Sequence, residues 1–118
     1  MRSLVVLADS DLVSIGDHAF SGCTALESVT NFDLLTGLRS LGEGVFSEGQ
    51  EGDRTYAACT LLSAITLPAS IEEIGDRAFA GCQRLKEVAI NQGERLTKMG
   101  KAVFKDCAAL REGNLSRT

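Results

Sequence analysis

The sequence predicts a solenoid of about four stacked coils, made mostly of short parallel strands and turns. Two observations predict it: a motif that recurs along the chain, and a composition rich in glycine and poor in proline. The motif places glycine, phenylalanine and cysteine at fixed positions, as in residues 15–23 and 74–82. Twelve glycines against the single proline, Pro68, indicate many turns made by glycine. One coil cannot bury its own apolar side chains, so the copies have to stack.

The aligned columns define four copies of the motif. Each copy supplies one phenylalanine and one cysteine, and these residues are Phe20, Phe46, Phe79 and Phe104, and Cys23, Cys59, Cys82 and Cys107. In the second copy the two residues are thirteen positions apart instead of three, so residues 47–57 contain an insertion. We expect the eight aligned residues to be structural core, because stacking brings equivalent side chains together and free cysteine behaves as a small apolar residue.

Aliphatic residues follow each cysteine at a spacing that predicts a strand. In the third copy they are Leu85, Val88 and Ile90. Alternate residues of a strand point to opposite sides, so Val88 and Ile90 face the core while their neighbours face outward. A period in the low twenties with this spacing is the signature of a leucine-rich repeat. The strands of successive coils then lie side by side, about 4.7–4.9 Å apart.

Residues 65–85 closely resemble the BspA-type leucine-rich repeat, whose period is about 23 residues. The four copies lie at about residues 5–29, 30–65, 66–88 and 89–115. The resemblance implies a single leucine-rich-repeat domain over residues 1–118, folded as an α/β-type right-handed superhelix of strands and turns. It also implies a role in protein–protein recognition and brings no catalytic residues. The family includes surface adhesins of microbes as well as intracellular proteins.

Composition and charge exclude several classes of partner. Sixteen acidic against twelve basic residues give a net charge of -4, which argues against nucleic acid as the main partner. The longest apolar run near the start, residues 4–8, is far shorter than the ~20 residues of a membrane-spanning helix and also shorter than the ~7–15 apolar residues of a secretory signal. We therefore expect an intracellular protein without a membrane span. The alternative is the cell surface, if the chain is a piece of a longer secreted protein.

The four cysteines admit three interpretations: two disulfides, a zinc site or buried thiols. Zinc sites favour cysteine pairs separated by two to four residues, whereas the gaps here are 36, 23 and 25 residues. Parallel side chains on stacked strands keep their Cβ atoms about 4.7–4.9 Å apart, beyond the ~3.5–4.5 Å of a disulfide. Reduced, unreactive thiols in the core are therefore the preferred interpretation.

Nothing in the sequence predicts catalysis. His18, the only histidine, stands in a column shared with Gly44, Arg77 and Ala102, and a column that accepts both glycine and arginine is expected to face water. Triad and metal chemistry based on imidazole therefore lack support. The glycines between positions 42 and 52 lack the lysine of a phosphate-binding loop. We expect no enzyme activity, cofactor or metal.

Two regions are candidates for binding a partner. The insertion at residues 47–57 is polar and contains Arg54 and Tyr56, which are residue types favoured at interface hot spots. The preferred interpretation of this segment is a flexible surface loop, and docking of a partner by Arg54 and Tyr56 is the hypothesis kept beside it. The outward positions of the strands are small in the first coils and acidic in the last, at Glu87 and Glu112. This flat surface lacks a deep pocket, which argues against a small-molecule substrate.

The ends of the predicted solenoid lack polar capping repeats, so they expose core residues and open strand edges. We expect other proteins to cover them. The leading hypothesis is a non-catalytic protein–protein interaction module, a scaffold or accessory subunit of a larger assembly. The alternative is a fragment of an extracellular BspA-like surface adhesion protein. An enzyme is a third possibility, but the sequence offers no convergent acid, base or nucleophile.

Overall fold

The computed structural model describes residues 3–5, 12–90, 93–110 and 116–117. Its strands are β1 (Ser3–Val5), β2 (Ser14–Ile15), β3 (Ser28–Thr30), β4 (Ser40–Leu41), β5 (Gly49–Glu51), β6 (Arg54–Tyr56), β7 (Ala64–Leu67), β8 (Glu73–Ile74), β9 (Glu87–Ile90), β10 (Lys98–Met99) and β11 (Ser116–Arg117). A 3₁₀ helix spans Phe32–Leu34. No helix in the described residues has the length and apolar character needed to cross a membrane.

Each repeat contributes one strand to each of two parallel arrays. The short-strand sheet has the order β10-β8-β4-β2, and its register aligns Ile15, Leu41, Ile74 and Met99. The long-strand sheet has the order β11-β9-β7, and β3 pairs with β1 and contacts β7. Parallel strands that follow one another at repeat spacing are the arrangement expected of stacked coils. The structure thus has the repeat-solenoid architecture that the sequence predicts.

The strand pattern places aliphatic residues in a continuous core. In β3 the buried Val29 lies between two exposed residues, and in β7 both Ile65 and Leu67 are buried. In β9 the exposed Glu87 precedes three buried residues, the second of which, Ala89, was expected to face outward. The Ala89 side chain is a single methyl group, and only 8% of the residue's surface is exposed. Each fully buried leucine or isoleucine stabilises the fold by about 1.5–3 kcal/mol.

A glycine column joins the short strands to the turns and shows how closely the coils approach. A Cβ atom on Gly75 would lie 2.5 Å from the carbonyl carbon of Gly42, and one on Gly100 would lie 2.5 Å from that of Gly75. The backbone of each coil therefore occupies the space that a side chain on the next coil would need. Gly16 has no such neighbour within 4 Å among the described residues.

Backbone hydrogen bonds connect the turns across the repeats. The N–H of Phe20 donates to Val45 O at 2.9 Å, and the N–H of Phe46 donates to Ala78 O at 2.8 Å. The N–H of Phe79 donates in the same way to Val103 O at 3.0 Å. Because these bonds repeat at equivalent positions, the turns stack in a fixed register.

The insertion forms a β-hairpin. Strands β5 and β6 pair antiparallel, with Gln50 opposite Thr55 and a two-residue connection at Gly52 and Asp53. Gly52 has φ +60°, a left-handed conformation that glycine adopts without steric cost. A flexible loop was the preferred expectation for this segment; it is instead the antiparallel element of an otherwise parallel set of described strands.

Candidate functional site

The four phenylalanines form a ladder across the turns. Ring centroids are 5.2 Å apart between Phe20 and Phe46, 5.2 Å between Phe46 and Phe79, and 5.8 Å between Phe79 and Phe104, with nearly parallel planes. The two inner rings are fully buried, and the two outer rings are partly exposed. The ladder fixes the spacing of the turns, and therefore the spacing of every side chain that the turns present.

The cysteines stand in a second column, and the thiols of Cys59, Cys82 and Cys107 donate hydrogen bonds to backbone carbonyls. Cys59 Sγ lies 3.2 Å from Phe20 O, and Cys107 Sγ lies 3.1 Å from Phe79 O. Burial raises the pKa of Cys59 to about 12 and also raises the pKa values of Cys82 and Cys107. All four thiols, including the partly exposed Cys23, are free. The raised pKa values keep the buried thiols of Cys59, Cys82 and Cys107 protonated near neutral pH, which makes them weak nucleophiles.

The column of His18, Gly44, Arg77 and Ala102 is a left-handed turn position in every repeat, with φ between 55° and 57°. Three of its members are exposed as expected, but Gly44 is buried. The reason is that the His18 ring covers it: a Cβ atom on Gly44 would lie 2.5 Å from His18 Cε1. The expectation that the whole column faces water was therefore wrong at Gly44.

The structure brings His18 and Ser21 together, a pairing within one turn that an alignment of repeat columns does not reveal. His18 Nδ1 lies 3.3 Å from Ser21 Oγ, and that hydroxyl donates to Gly44 O at 3.3 Å. A nucleophilic serine needs its proton directed to the histidine and a third group that orients the ring. The hydroxyl proton goes to the backbone here, so the pair serves structure.

The described part of the chain holds no group of three or more histidine, cysteine, aspartate or glutamate side chains placed to bind a metal ion. Two aspartates act on the backbone instead. Asp17 Oδ1 accepts the N–H of Glu43 at 2.8 Å, and Asp76 Oδ1 accepts that of Lys101 at 2.8 Å. Glu43 itself pairs with Arg77 at 2.8 Å, and this hydrogen bond raises the pKa of Arg77.

The long strands present a flat outward surface, which we call the strand face. It consists of the exposed residues Ser28, Thr30, Ala64 and Glu87, with Thr66 half-buried beside them. Glu87 and Ala64 are directly opposite in the register of β9 and β7. Glu112, the other acidic residue predicted on this surface, lies outside the described residues. Small side chains on a rigid parallel sheet suit contact with another flat surface.

The hairpin places the backbones of Arg54 and Tyr56 on β6, opposite Glu51 and Gly49. A groove of about 1010 Å³ lies between this hairpin and the third and fourth turns of the ladder. The groove is lined on the hairpin by Gln50 and Thr55 and on the turns by residues that include Ala80. No sequence pattern predicts this groove, because a cavity between an insertion and distant turns depends on the orientation of the insertion.

Comparisons with known proteins agree with this architecture. The family model of the BspA type leucine rich repeat region matches residues 4–51 and 49–118 with six copies. That is two copies more than the four that the aligned motif defines. No curated protein matches the sequence.

Three crystal structures share the fold. A leucine-rich repeat protein from Bacteroides ovatus has a TM-score of 0.69 and 24% identity, over 100% of this chain and 30% of its own. The T. pallidum leucine rich repeat protein TpLRR has a TM-score of 0.63 and 26% identity, over 92% of this chain and 56% of its own. A leucine rich cell surface protein from Faecalibacterium prausnitzii has a TM-score of 0.55 and 23% identity, over 100% of this chain and 32% of its own.

The chain thus spans about a third of the length of the Bacteroides and Faecalibacterium proteins and just over half of TpLRR. One conclusion follows from the motif columns, from the parallel sheets and from the family model, which matches nearly the whole chain. The chain belongs to the family of BspA-type leucine-rich repeat proteins.

Proposed function

We propose that the chain is a non-catalytic protein–protein interaction module that serves as a scaffold or accessory subunit of a larger assembly. The observation that carries this proposal is the strand face, where small exposed side chains lie on a rigid parallel sheet whose inner side is fully packed. Leucine-rich repeats are generally a fold of protein interaction, not of catalysis. The Ser21 hydroxyl donates to Gly44 O and burial raises the pKa of Cys59, so neither group is activated as a nucleophile.

The architecture proposed for this module is a single domain over residues 1–118, wound as a right-handed superhelix of about four coils. The four-membered phenylalanine ladder supports the coil number. The proposed repeats lie at about residues 5–29, 30–65, 66–88 and 89–115, with the inserted segment 47–57 as an additional binding element.

The proposed partner-binding residues belong to two surfaces. Glu87 is an exposed acidic residue of the strand face, and Glu112, outside the described residues, is the second acidic residue proposed to bind a partner. Arg54 and Tyr56 are proposed to dock a partner from the hairpin. Their position on a paired strand supports this role, because an ordered strand costs less conformational entropy on binding than a flexible loop does.

Partner proteins are also proposed to cover the ends of the solenoid. The outer strands of the short-strand sheet, β2 and β10, each lack a neighbour on one side in the described residues. Apolar side chains are exposed beside them: Val13 is 51% exposed and Met99 is 42% exposed. Covering open strand edges and apolar side chains removes a site of aggregation.

An intracellular location is proposed for this subunit. The second candidate is a fragment of a cell-surface adhesion protein, and it is supported by the similarity to the Faecalibacterium leucine rich cell surface protein. Fractionation of the native source, with antibody detection in cytosolic and surface fractions, distinguishes the two.

Affinity purification from the native source tests the interaction module. The immobilised chain is compared with Ser28→Trp, which places a bulky ring on the strand face, and with Thr36→Trp as the control in an exposed turn. We expect specific proteins to be retained by the native chain and by the control, and lost by Ser28→Trp. Equal retention by all three forms would contradict the strand face as the binding surface.

A further inference from the structure

The groove beneath the hairpin is separate from the strand face, and we call it the hairpin groove. Its walls are Gln50 and Thr55 of the hairpin on one side and Lys105 and Ala108 of the fourth turn on the other. Ala80 and Gly81 of the third turn lie between the walls. Its volume of about 1010 Å³ lies at the upper limit of the 300–1,000 Å³ typical of small-molecule pockets. The groove is therefore large enough for a short segment of polypeptide.

The hairpin wall is anchored to the solenoid. Gly49 is buried against the first turn, where a Cβ atom on it would lie 3.1 Å from Ser21 Oγ and 3.2 Å from His18 Nδ1. On the returning strand, next to the Tyr56 that pairs with Gly49, the N–H of Gly22 donates to Ala57 O at 2.7 Å. Both strands of the hairpin are thus held at its base by the first turn, which fixes where the hairpin wall starts.

The floor of the groove is made of small residues, which lets a main chain approach the solenoid closely. Ala58 and Ala80 are each only 8% exposed. Their methyl groups are therefore packed against neighbouring residues and project little into the groove. Gly81 has φ +81°, and a Cβ atom on it would lie 3.0 Å from the Ala58 Cβ. A side chain at position 81 would therefore crowd both the turn and the groove.

The charges that line the groove cancel. Arg77 and Lys105 supply two positive charges, and Glu48 and Asp106 supply two negative charges. The remaining polar side chains of the lining are the amides of Gln50 and Gln83, the hydroxyls of Ser47, Thr55 and Thr60, and the imidazole of His18. Such groups can donate to peptide carbonyls and accept from peptide N–H groups. A phosphate or a strongly charged segment would meet charges of its own sign on the walls.

We propose that the hairpin groove binds an extended, uncharged polar segment of a partner protein. The bound main chain lies over the Ala80–Gly81 floor and exchanges hydrogen bonds with the amide and hydroxyl side chains of the two walls. This rests on the proposed function in that the ligand is a protein, but it assigns a second surface, distinct from the strand face. The inserted hairpin then exists to build one wall of this site.

A phage-displayed library of random linear peptides, panned on the full chain, tests the proposal. An enriched peptide is synthesised with a fluorescent label, and its Kd is measured by anisotropy for the native chain and three variants. Ala108→Trp fills the groove from an exposed position, Gly49→Val displaces the hairpin wall, and Ser28→Trp alters the strand face. Urea unfolding of each variant verifies that the solenoid is intact.

We expect enrichment of peptides without runs of charge, a Kd weakened about tenfold or more in Ala108→Trp and Gly49→Val, and no change in Ser28→Trp. The Kd should also vary little with salt, because no net charge is neutralised. Failure to enrich any peptide, or unchanged binding by Ala108→Trp, would overturn the groove site. Loss of binding in Ser28→Trp alone would do so too, while supporting the strand face of the proposed function.

Discussion

The inner and outer members of the phenylalanine ladder have the same residue in the same motif, yet they differ in environment. Phe46 and Phe79 have a ring on each side and are fully buried, whereas Phe20 and Phe104 have a ring on one side and are partly exposed. The glycine column shows the same contrast between Gly75, which faces the preceding backbone, and Gly16, which faces none of the described residues. What a motif residue contributes is thus set by the coil stacked on it, not by the motif alone.

The largest expected effect is loss of an inner ring. Phe79→Ala removes a ring that contacts two others, so we expect it to lower the free energy of unfolding by about 3–5 kcal/mol. Phe20→Ala removes a partly exposed ring with one neighbour, and we expect a loss of about 1–2 kcal/mol. Urea unfolding at equilibrium measures both. Equal losses would show that the ladder does not distinguish inner from outer positions.

Alanine substitutions in the glycine column should change the stability less, and Gly16 offers a closely matched control for Gly75. Gly75→Ala places a methyl group against the backbone of Gly42, so we expect a loss of about 1–3 kcal/mol through overpacking. Gly16→Ala meets open space, so its effect should stay within about 0.5 kcal/mol or be slightly stabilising. The same urea experiment compares the two. A destabilised Gly16→Ala would mean that another segment packs against Gly16.

The column of left-handed turn residues predicts that one glycine substitution raises the stability of the chain. Ala102 has φ 55°, a conformation that costs a non-glycine residue roughly 1–2 kcal/mol, so we expect Ala102→Gly to stabilise the chain by about 1 kcal/mol. Ala25 is an exposed turn residue outside the positive-φ set, and Ala25→Gly should destabilise by about 0.4–1 kcal/mol. Opposite signs in thermal unfolding are the expected outcome. The same sign for both would contradict the strained turn.

The cysteine column predicts that exposed and buried thiols differ in reactivity, and that the buried thiols make stability depend on pH only above neutral pH. A thiol reagent should label the partly exposed Cys23 faster than the buried Cys59 in the folded chain, as measured by peptide mass spectrometry. Burial raises the pKa of Cys59 to about 12, so the folded thiol stays protonated where the unfolded thiol ionises. The stability contribution of Cys59 is therefore complete below about pH 8.5, the unfolded pKa, and is lost as the pH rises toward 12. Labelling of both thiols at one rate would show that the column opens readily.

The repeat columns were enough to predict the solenoid because its core is one-dimensional: a residue in a column meets the equivalent residue of the next coil. Phe46 and Phe79 could be placed in this way without knowledge of any tertiary contact. Gly44 could not, because it is buried by His18 across the turns and its column has a common conformation, not a common exposure. The hairpin groove was invisible for a related reason, since its walls belong to an insertion and to coils that lie far from it in sequence.

A double-mutant cycle on the ladder tests the central claim, which is that successive repeats stack in register and contact only their neighbours. Alanine substitutions at Phe46 and Phe79, whose rings are 5.2 Å apart, should show a coupling energy of about 0.5–1.5 kcal/mol in urea unfolding. The same cycle on Phe46 and Phe104, which are separated by Phe79, should be additive within about 0.5 kcal/mol. Equal coupling in the two cycles, or additivity in both, would contradict the stacked ladder.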